Sequence, residues 1–231
     1  MVAMAQKSEN VQRLDLIQSA LAGLTEPFGF RRKGRTLVKT VDSDILQIIA
    51  LQAGPFEIGE PLPPEAAHLR PNFYGKFTVN LGIFVPEMFE RTNPGFIPRG
   101  VITDAHCSIR SRLSHITSHQ DIWWHLKDPK EELVDEIGAL LIHVGIPFLG
   151  RFSSRDTIIR DWVNFNSHEL LITPVARLDT AMVLLKRGDV AAAKAAFEEH
   201  LIEYNRNPRN PTHGSYVREL ALRLGLGELQ V

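Results

Sequence analysis

Residues 73–85 read Phe73-Tyr74-Gly75-Lys76-Phe77-Thr78-Val79-Asn80-Leu81-Gly82-Ile83-Phe84-Val85. Phe73, Phe77, Val79, Leu81, Ile83 and Val85 share one parity. Tyr74, Lys76, Thr78, Asn80 and Gly82 share the other, with Phe84 the exception. A side-chain period of two marks a strand with one apolar and one polar face. Burying each apolar side chain stabilises the fold by about 1.5–3 kcal/mol before chain entropy is counted, so that face demands a core. The polar face is expected to be wet. Residues 106–113 repeat the pattern, with Cys107, Ile109 and Leu113 pointing one way and His106, Ser108, Arg110 and Arg112 the other.

Outward from this strand, Val11, Leu14, Ile17, Leu21 and Leu24 recur at helical spacing and predict a helix over 9–24, with Ser8 at its cap. Pro27 and Gly29 stop it. Thr36 to Val41 and Ile45 to Gln52 read as two strands joined by the turn Asp42-Ser43-Asp44. The second is apolar at both parities, as expected for a strand covered on both sides. Residues 54–71 hold prolines at 55, 61, 63, 64 and 71 and form a long loop. Asp128-Pro129-Lys130-Glu131 has the pattern of a helix start, with Asp128 as cap, Leu133, Ile137, Leu140, Leu141 and Val144 as the apolar stripe, and Gly145 as the stop.

Beyond Phe152 the pattern is all helical. Ser153 or Ser154 caps a short helix near 155–165; residues 175–187 and 190–204 form a helical hairpin turned at Gly188-Asp189; a last helix spans about 214–224. The expected architecture is therefore α+β. An antiparallel sheet of four or five strands carries helices on one face, and a helical extension packs on the body. The body runs over 1–152 and the extension over 153–231.

With 231 residues, 26 Lys plus Arg, 27 Asp plus Glu and 44% hydrophobic residues, the composition is that of a globular protein with a balanced charge. The balance argues against a general nucleic-acid binder and leaves room for local patches. One cysteine excludes an internal disulfide framework. No apolar run stands at Met1 to Asn10, and the stretch Ile137 to Gly150 is short and broken by His143, Pro147 and glycines. A cytoplasmic location without membrane contact is expected.

Leu14 to about Gly150 resembles an uncharacterised bacterial family, domain of unknown function 4304. The resemblance rests on Gly29-Phe30-Arg31-Arg32-Lys33-Gly34-Arg35, the strand Ile45 to Gln52, and Phe77-Thr78-Val79-Asn80-Leu81-Gly82-Ile83. It implies an α+β domain and a bacterial source, and brings no activity or cofactor. The helical hairpin looks like one tetratricopeptide-type unit, although His200 stands where that unit has a small residue.

Recognisable catalytic constellations are few. His115 and His119 are four apart, yet the residues between them are β-branched or small, so a polar loop is expected there rather than a metal-binding helix. Cys107 falls on an apolar parity and reads as a buried thiol, not a nucleophile. Glycine-rich phosphate loops are not found, and Gly225-Leu226-Gly227 follows a helix rather than a strand. Neither a cofactor nor a metal site is expected. Trp123-Trp124 is assigned to the junction between body and extension.

Two basic features remain. One is Arg31, Arg32, Lys33 and Arg35. The other is the polar sheet face, with Tyr74, Lys76 and Asn80 on one strand and His106, Arg110 and Arg112 on another. Arg and Tyr are favoured in contact surfaces. The leading expectation is a non-catalytic protein that holds an acidic protein partner on this basic surface, as a toxin-neutralising protein would. A second reading is an enzyme for a phosphorylated or nucleic-acid substrate, using His106, Arg110, Tyr74 and Arg31. A third is a scaffold whose helical extension drives self-association, as in a homodimer.

Overall fold

Two runs of alternating residues lie side by side in the computed structural model, which describes residues 8–55, 72–162, 175–206, 208 and 210–231. The strands are β1 (Arg31–Lys33), β2 (Thr36–Val41), β3 (Ile45–Ala53), β4 (Lys76–Phe84), β5 (Ile109–Arg112) and β6 (Trp124–His125). They form an open antiparallel sheet in the order β1-β2-β3-β4-β5, with β6 pairing the start of β4. The α+β class is as expected, with β1 and β6 as additional short strands. Most of the proline-rich loop and the residues after Trp162, up to the expected end at 165, lie outside the described residues.

The apolar parity faces a core. Phe77, Val79, Leu81 and Ile83 of β4 join Leu37, Ile45, Ile49, Leu51 and Ile109 from neighbouring strands. Helix α1 (Glu9–Thr25) covers them with Leu14, Ile17 and Leu21. Ser8 stands at its N-cap without a side-chain capping bond. Helix α4 (Lys130–Leu140) covers the rest with Leu133 and Ile137.

The start and end of α4 differ from expectation. Pro129, not Asp128, is the N-cap, because Pro129 is still extended (ψ 129°). Gly145 does not end the run. A π-helical turn, Leu141–Gly145, leads into α5 (Ile146–Gly150). Gly145 is there for contact: a Cβ on it would lie 3.1 Å from Leu113 and 3.4 Å from Leu81. Lys130–Gly150 is thus one helical run of 21 residues, long and apolar enough by length and composition to cross a membrane. Its Leu133, Ile137, Leu141, Phe148 and Leu149 pack into the sheet core.

The opposite face corrects the sequence reading: it is not a wet sheet face, and helices do not lie on one face alone. Helix α2 (Pro86–Thr92) starts as soon as β4 ends and folds back. Its Phe89 packs with Ile48, Ala50, Phe84 and Cys107 into a second, smaller core. A 3₁₀ turn, Asp104–His106, closed by a Thr103–His106 capping box, lies over Gly82. A Cβ on Gly82 would fall 2.7 Å from Cys107 Sγ and 3.4 Å from Asp104 Cα. Thr78 is wholly buried and donates from Oγ1 to the Ile122 carbonyl at 3.1 Å. Cys107 therefore does not share the face of Ile109, because β5 begins only at Ile109.

Two other local expectations change. Residues 113–118 form helix α3 (Leu113–Ser118) rather than a loop, and His119 follows in the left-handed region (φ 57°). Burial of Leu113 anchors α3, and the Thr117 and Ser118 hydroxyls bond back to carbonyls of the preceding turn. Trp123 and Trp124 do not fill the body–extension junction. Trp124 packs beside Phe77 and donates from Nε1 to Glu136 at 2.9 Å, while Trp123 stacks on Phe73 at 4.3 Å. The buried Trp162 serves at that junction instead, edge to face with Phe152 at 6.2 Å between centroids.

The extension comprises α6 (Arg155–Asp161), capped by Ser154, then α7 (Ala176–Lys186), α8 (Val190–Arg206) and α9 (His213–Arg223). Leu178, Ala193, Phe197, Leu201, Val217 and Leu220 form its own core, while Phe152, Ile158, Trp162 and Val183 belong to the main one. Two ion pairs tie it to α2. Arg91 meets Asp179 of α7 at 2.8 Å with both side chains buried. Arg155 of α6 grips Glu87 at 2.7 and 2.9 Å and reaches Asp44 of the β2–β3 turn at 2.8 Å. These carboxylates raise the Arg155 pKa, Glu87 most strongly.

The tight contact at Gly82 yields a test. Gly82→Ala is expected to destabilise by about 1–3 kcal/mol in urea unfolding, as overpacking does. Adding Cys107→Ala removes the sulfur it meets, so the double variant should lose less than the sum of the two singles. Strict additivity would show that the two sites are not in contact.

Candidate functional site

Where the second face is not sealed, two polar clefts open on either side of the 104–108 segment, and Arg110 borders both. Cross-strand register sets Asn80 opposite Arg112 and Gly82 opposite Arg110. Gln52 comes alongside from β3 through the register of Gln52 with Thr78.

The first cleft holds about 200 Å³ and is lined by Gln52, Asn80, Asp104, Arg110, Ser111 and Arg112. Asn80, only 6% exposed, forms its floor. Its Nδ2 donates to Gln52 Oε1 at 2.8 Å and to Asp104 Oδ2 at 2.9 Å, which fixes the amide's orientation. Burial raises the Asp104 pKa above the usual carboxylate value. Its own backbone N–H, Arg110, Asn80 and Arg112 pull the other way. Arg112 is held from two sides: Nη1 pairs with Asp121, and the guanidinium lies 5.0 Å from the Trp123 ring centroid. Cation–π contact and ion pairing together make it a fixed positive charge.

The second cleft holds about 210 Å³ between α2, α7 and the Asp104–His106 turn. Phe89, Asn93, His106, Ser108 and Arg110 line it, with the Arg91–Asp179 pair at its inner end. Burial raises the Asp179 pKa, and Arg91 opposes that. The Thr103 backbone N–H donates to His106 Nδ1 at 3.1 Å. The Cys107 thiol has its pKa pushed well up, first by burial and then by Asp104, so it is protonated and inert as a nucleophile.

The sequence candidates do not form one surface. Asn80, Arg110 and Arg112 meet at the first cleft, and His106 meets Arg110 at the second. Lys76 shares their sheet face but lies toward β6, opposite His125. Tyr74 is exposed and lines, with Lys76 and Arg35, a separate cleft beside α1. Arg31, Arg32 and Lys33 form β1, the opposite edge of the sheet from β5, about 19 Å away at the usual strand spacing. There Arg31 pairs with Glu26, Arg32 donates to Ser19 Oγ, and Arg35 approaches Asp15 at 3.8 Å. That basic turn is thus a separate, largely satisfied edge, which suits an edge strand kept soluble by charge.

Gln52, Phe89, Arg91, Asp104 and Asp179 were not singled out from the sequence. Gln52 alone was within reach, because its parity opposes that of Ile49 and Leu51. Among the described residues no group of three or more His, Cys, Asp or Glu could hold a metal ion. The rings of His115 and His119 stand 6.3 Å apart, edge to face.

Near the extension's side of Arg91, buried His200 of α8 shares a hydrogen bond with His213 of α9, Nε2 to Nε2 at 2.8 Å. One ring must donate and the other accept, so the bond needs at least one neutral imidazole. Tyr204 and Tyr216 flank His213, and Arg177 and Arg91 bear on His200. Burial foremost, then His213 and after it Arg177 and Arg91, lower the His200 pKa from 6.5 to about 4, and burial lowers that of His213. A base held neutral when folded stabilises fully above its unfolded pKa of 6.5 and loses that stability as pH falls toward 4. In thermal unfolding from about pH 7 down to about pH 4, wild type should therefore lose stability relative to His200→Gln. A constant difference across that range would contradict the assignment.

Residues 68–151 match a family model described as Domain of unknown function (DUF4304). The matched stretch takes in β4, α2, β5 and the helical run to α5, hence most of both clefts. The basic turn and the strand ending at Gln52, which also carried the resemblance, fall outside it. No curated protein matches the chain, and no solved structure does.

Proposed function

We propose that this protein is a non-catalytic binding protein that holds an acidic segment of a protein partner at Arg110; a toxin-neutralising role is one form such binding takes. The observation that carries the reading is the placement of Arg110. Its guanidinium is exposed between two polar clefts and makes no ion pair among the described residues. Arg112 shares its face of β5 but is spent on Asp121 and held against Trp123, which leaves Arg110 as the available cation of the two. Of the carboxylates nearby, Asp179 is spent on Arg91, and Asp104 accepts from Asn80. An incoming carboxylate gains a charge-assisted, bidentate contact with the planar guanidinium.

The enzyme reading is less favoured by the same geometry. Of its four candidate groups only His106 and Arg110 share a cleft, and His106 Nδ1 already accepts from Thr103. Tyr74 and Arg31 lie on other parts of the molecule.

Arg110→Glu tests the reading, because an exposed position tolerates the change with little effect on stability, within about 0.5 kcal/mol. Partner recovered from host extract by the tagged variant should fall by about tenfold or more, equivalent to about 1.4 kcal/mol. Lys127→Glu, an exposed reversal away from both clefts, should leave recovery unchanged. Equal recovery by wild type and Arg110→Glu would refute the proposal.

A further inference from the structure

We infer that the partner's acidic segment also carries apolar side chains next to its carboxylates, and that the loop 93–103 reads them through Phe96 and Ile97. This rests on the binding role of Arg110 and specifies the chemistry of what binds there.

Ile97 is 81% exposed and Phe96 55%, on one short stretch. Single exposed apolar residues are ordinary, whereas adjacent ones on a built loop mark contact sites. The loop is built. Phe96 N–H bonds to the Asn93 carbonyl at 3.0 Å, and Gly95 N–H to Glu90 Oε1 at 2.8 Å. The Asn93 amide donates to Phe89 O and Thr92 Oγ1. Gly95 has φ 72°, a left-handed conformation that favours glycine. A tip ordered before binding loses less entropy when it docks.

Phe96 also reaches toward the charge. Phe96 lies 6.2 Å from Phe89, and Phe89 lies 5.8 Å from His106, centroid to centroid. This aromatic run leads from the loop tip into the cleft that Arg110 borders. Arg99 on the loop is exposed and, like Arg110, has no ion pair among the described residues. Glu90, the nearby exposed carboxylate, is occupied by the Gly95 amide. An apolar tip joined through Phe89 to the cleft that Arg110 borders, with Arg99 two residues beyond Ile97, complements a segment in which carboxylates alternate with apolar side chains. Aromatic and arginine anchors of this kind dominate contact energies.

The test uses defined probes. Three fluorescein-labelled peptides are titrated with the full chain and followed by anisotropy: glutamate alternating with phenylalanine, glutamate alternating with serine, and lysine alternating with phenylalanine. Wild type should bind the first about tenfold more tightly than the second and should not bind the third. Ile97→Ser and, separately, Phe96→Ser should bring the first peptide down to the level of the second. Arg110→Glu should weaken both acidic peptides. Equal affinity for the two acidic peptides, or full affinity in both loop variants, would overturn the inference while leaving the role of Arg110 standing. Insensitivity of both acidic peptides to Arg110→Glu would remove the charge reading itself. A dimer in sedimentation that Ile97→Ser converts to monomer would make a second copy the occupant and overturn the inference as well.

Discussion

Strand β4 has to satisfy two unlike faces, and the rest of the structure follows from how it does so. Its apolar parity needs a core, which α1 and the Lys130–Gly150 run supply. Its polar parity is also buried, so each group there needs an internal partner or no side chain at all. Thr78 finds the Ile122 carbonyl, the Asn80 amide nitrogen finds Gln52 and Asp104 while its Oδ1 stays unpartnered among the described residues, and Gly82 has nothing to satisfy. The absence of a side chain at Gly82 admits the Asp104–Ser108 segment, and that segment divides the face into a small apolar core and two clefts.

Helix α2 explains why the extension is attached where it is. Helix α2 is short and covers the second core, and it presents Glu87 and Arg91 to the following helices. Arg155 and Asp179 answer them across long sequence distances. Buried ion pairs add little net stability against a well-packed apolar alternative, yet they penalise misplacement, because a lone buried charge is costly. We read them as fixing the angle of the extension against the body, and with it the inner wall of the second cleft.

Much of the fold was legible in the sequence. Periodicity over 9–24, 36–52, 73–85 and 175–204 located helices and strands to within a few residues, because the apolar residues there recur with the period of each element. The failures share a cause. Parity tells which residues lie together, not what covers them. Lys76, Asn80, Arg110 and Arg112 do share a face, as read, but α2 and the Asp104–His106 turn are too short to show a period, so the lid over that face was invisible. Cys107 was assigned by continuing the strand pattern two residues too far, past the turn that precedes Ile109. At the candidate site, Arg110 and Asn80 were found by parity. Asp104 and Phe89 come from the irregular lid and left no repeating signal. The Arg31–Arg35 element was visible as charge, but its distance from Arg110 depends on strand order, which alternation cannot supply.

The central claim is that the polar face of β4 is sealed except along Arg110. Thiol labelling tests it most directly, with single cysteines introduced by Thr78→Cys and by Arg110→Cys in a Cys107→Ser background. Arg110→Cys should react with a thiol reagent at the rate of an unfolded control, and Thr78→Cys only at the rate of global unfolding. Comparable fast labelling at both positions would show an open sheet face and contradict the account.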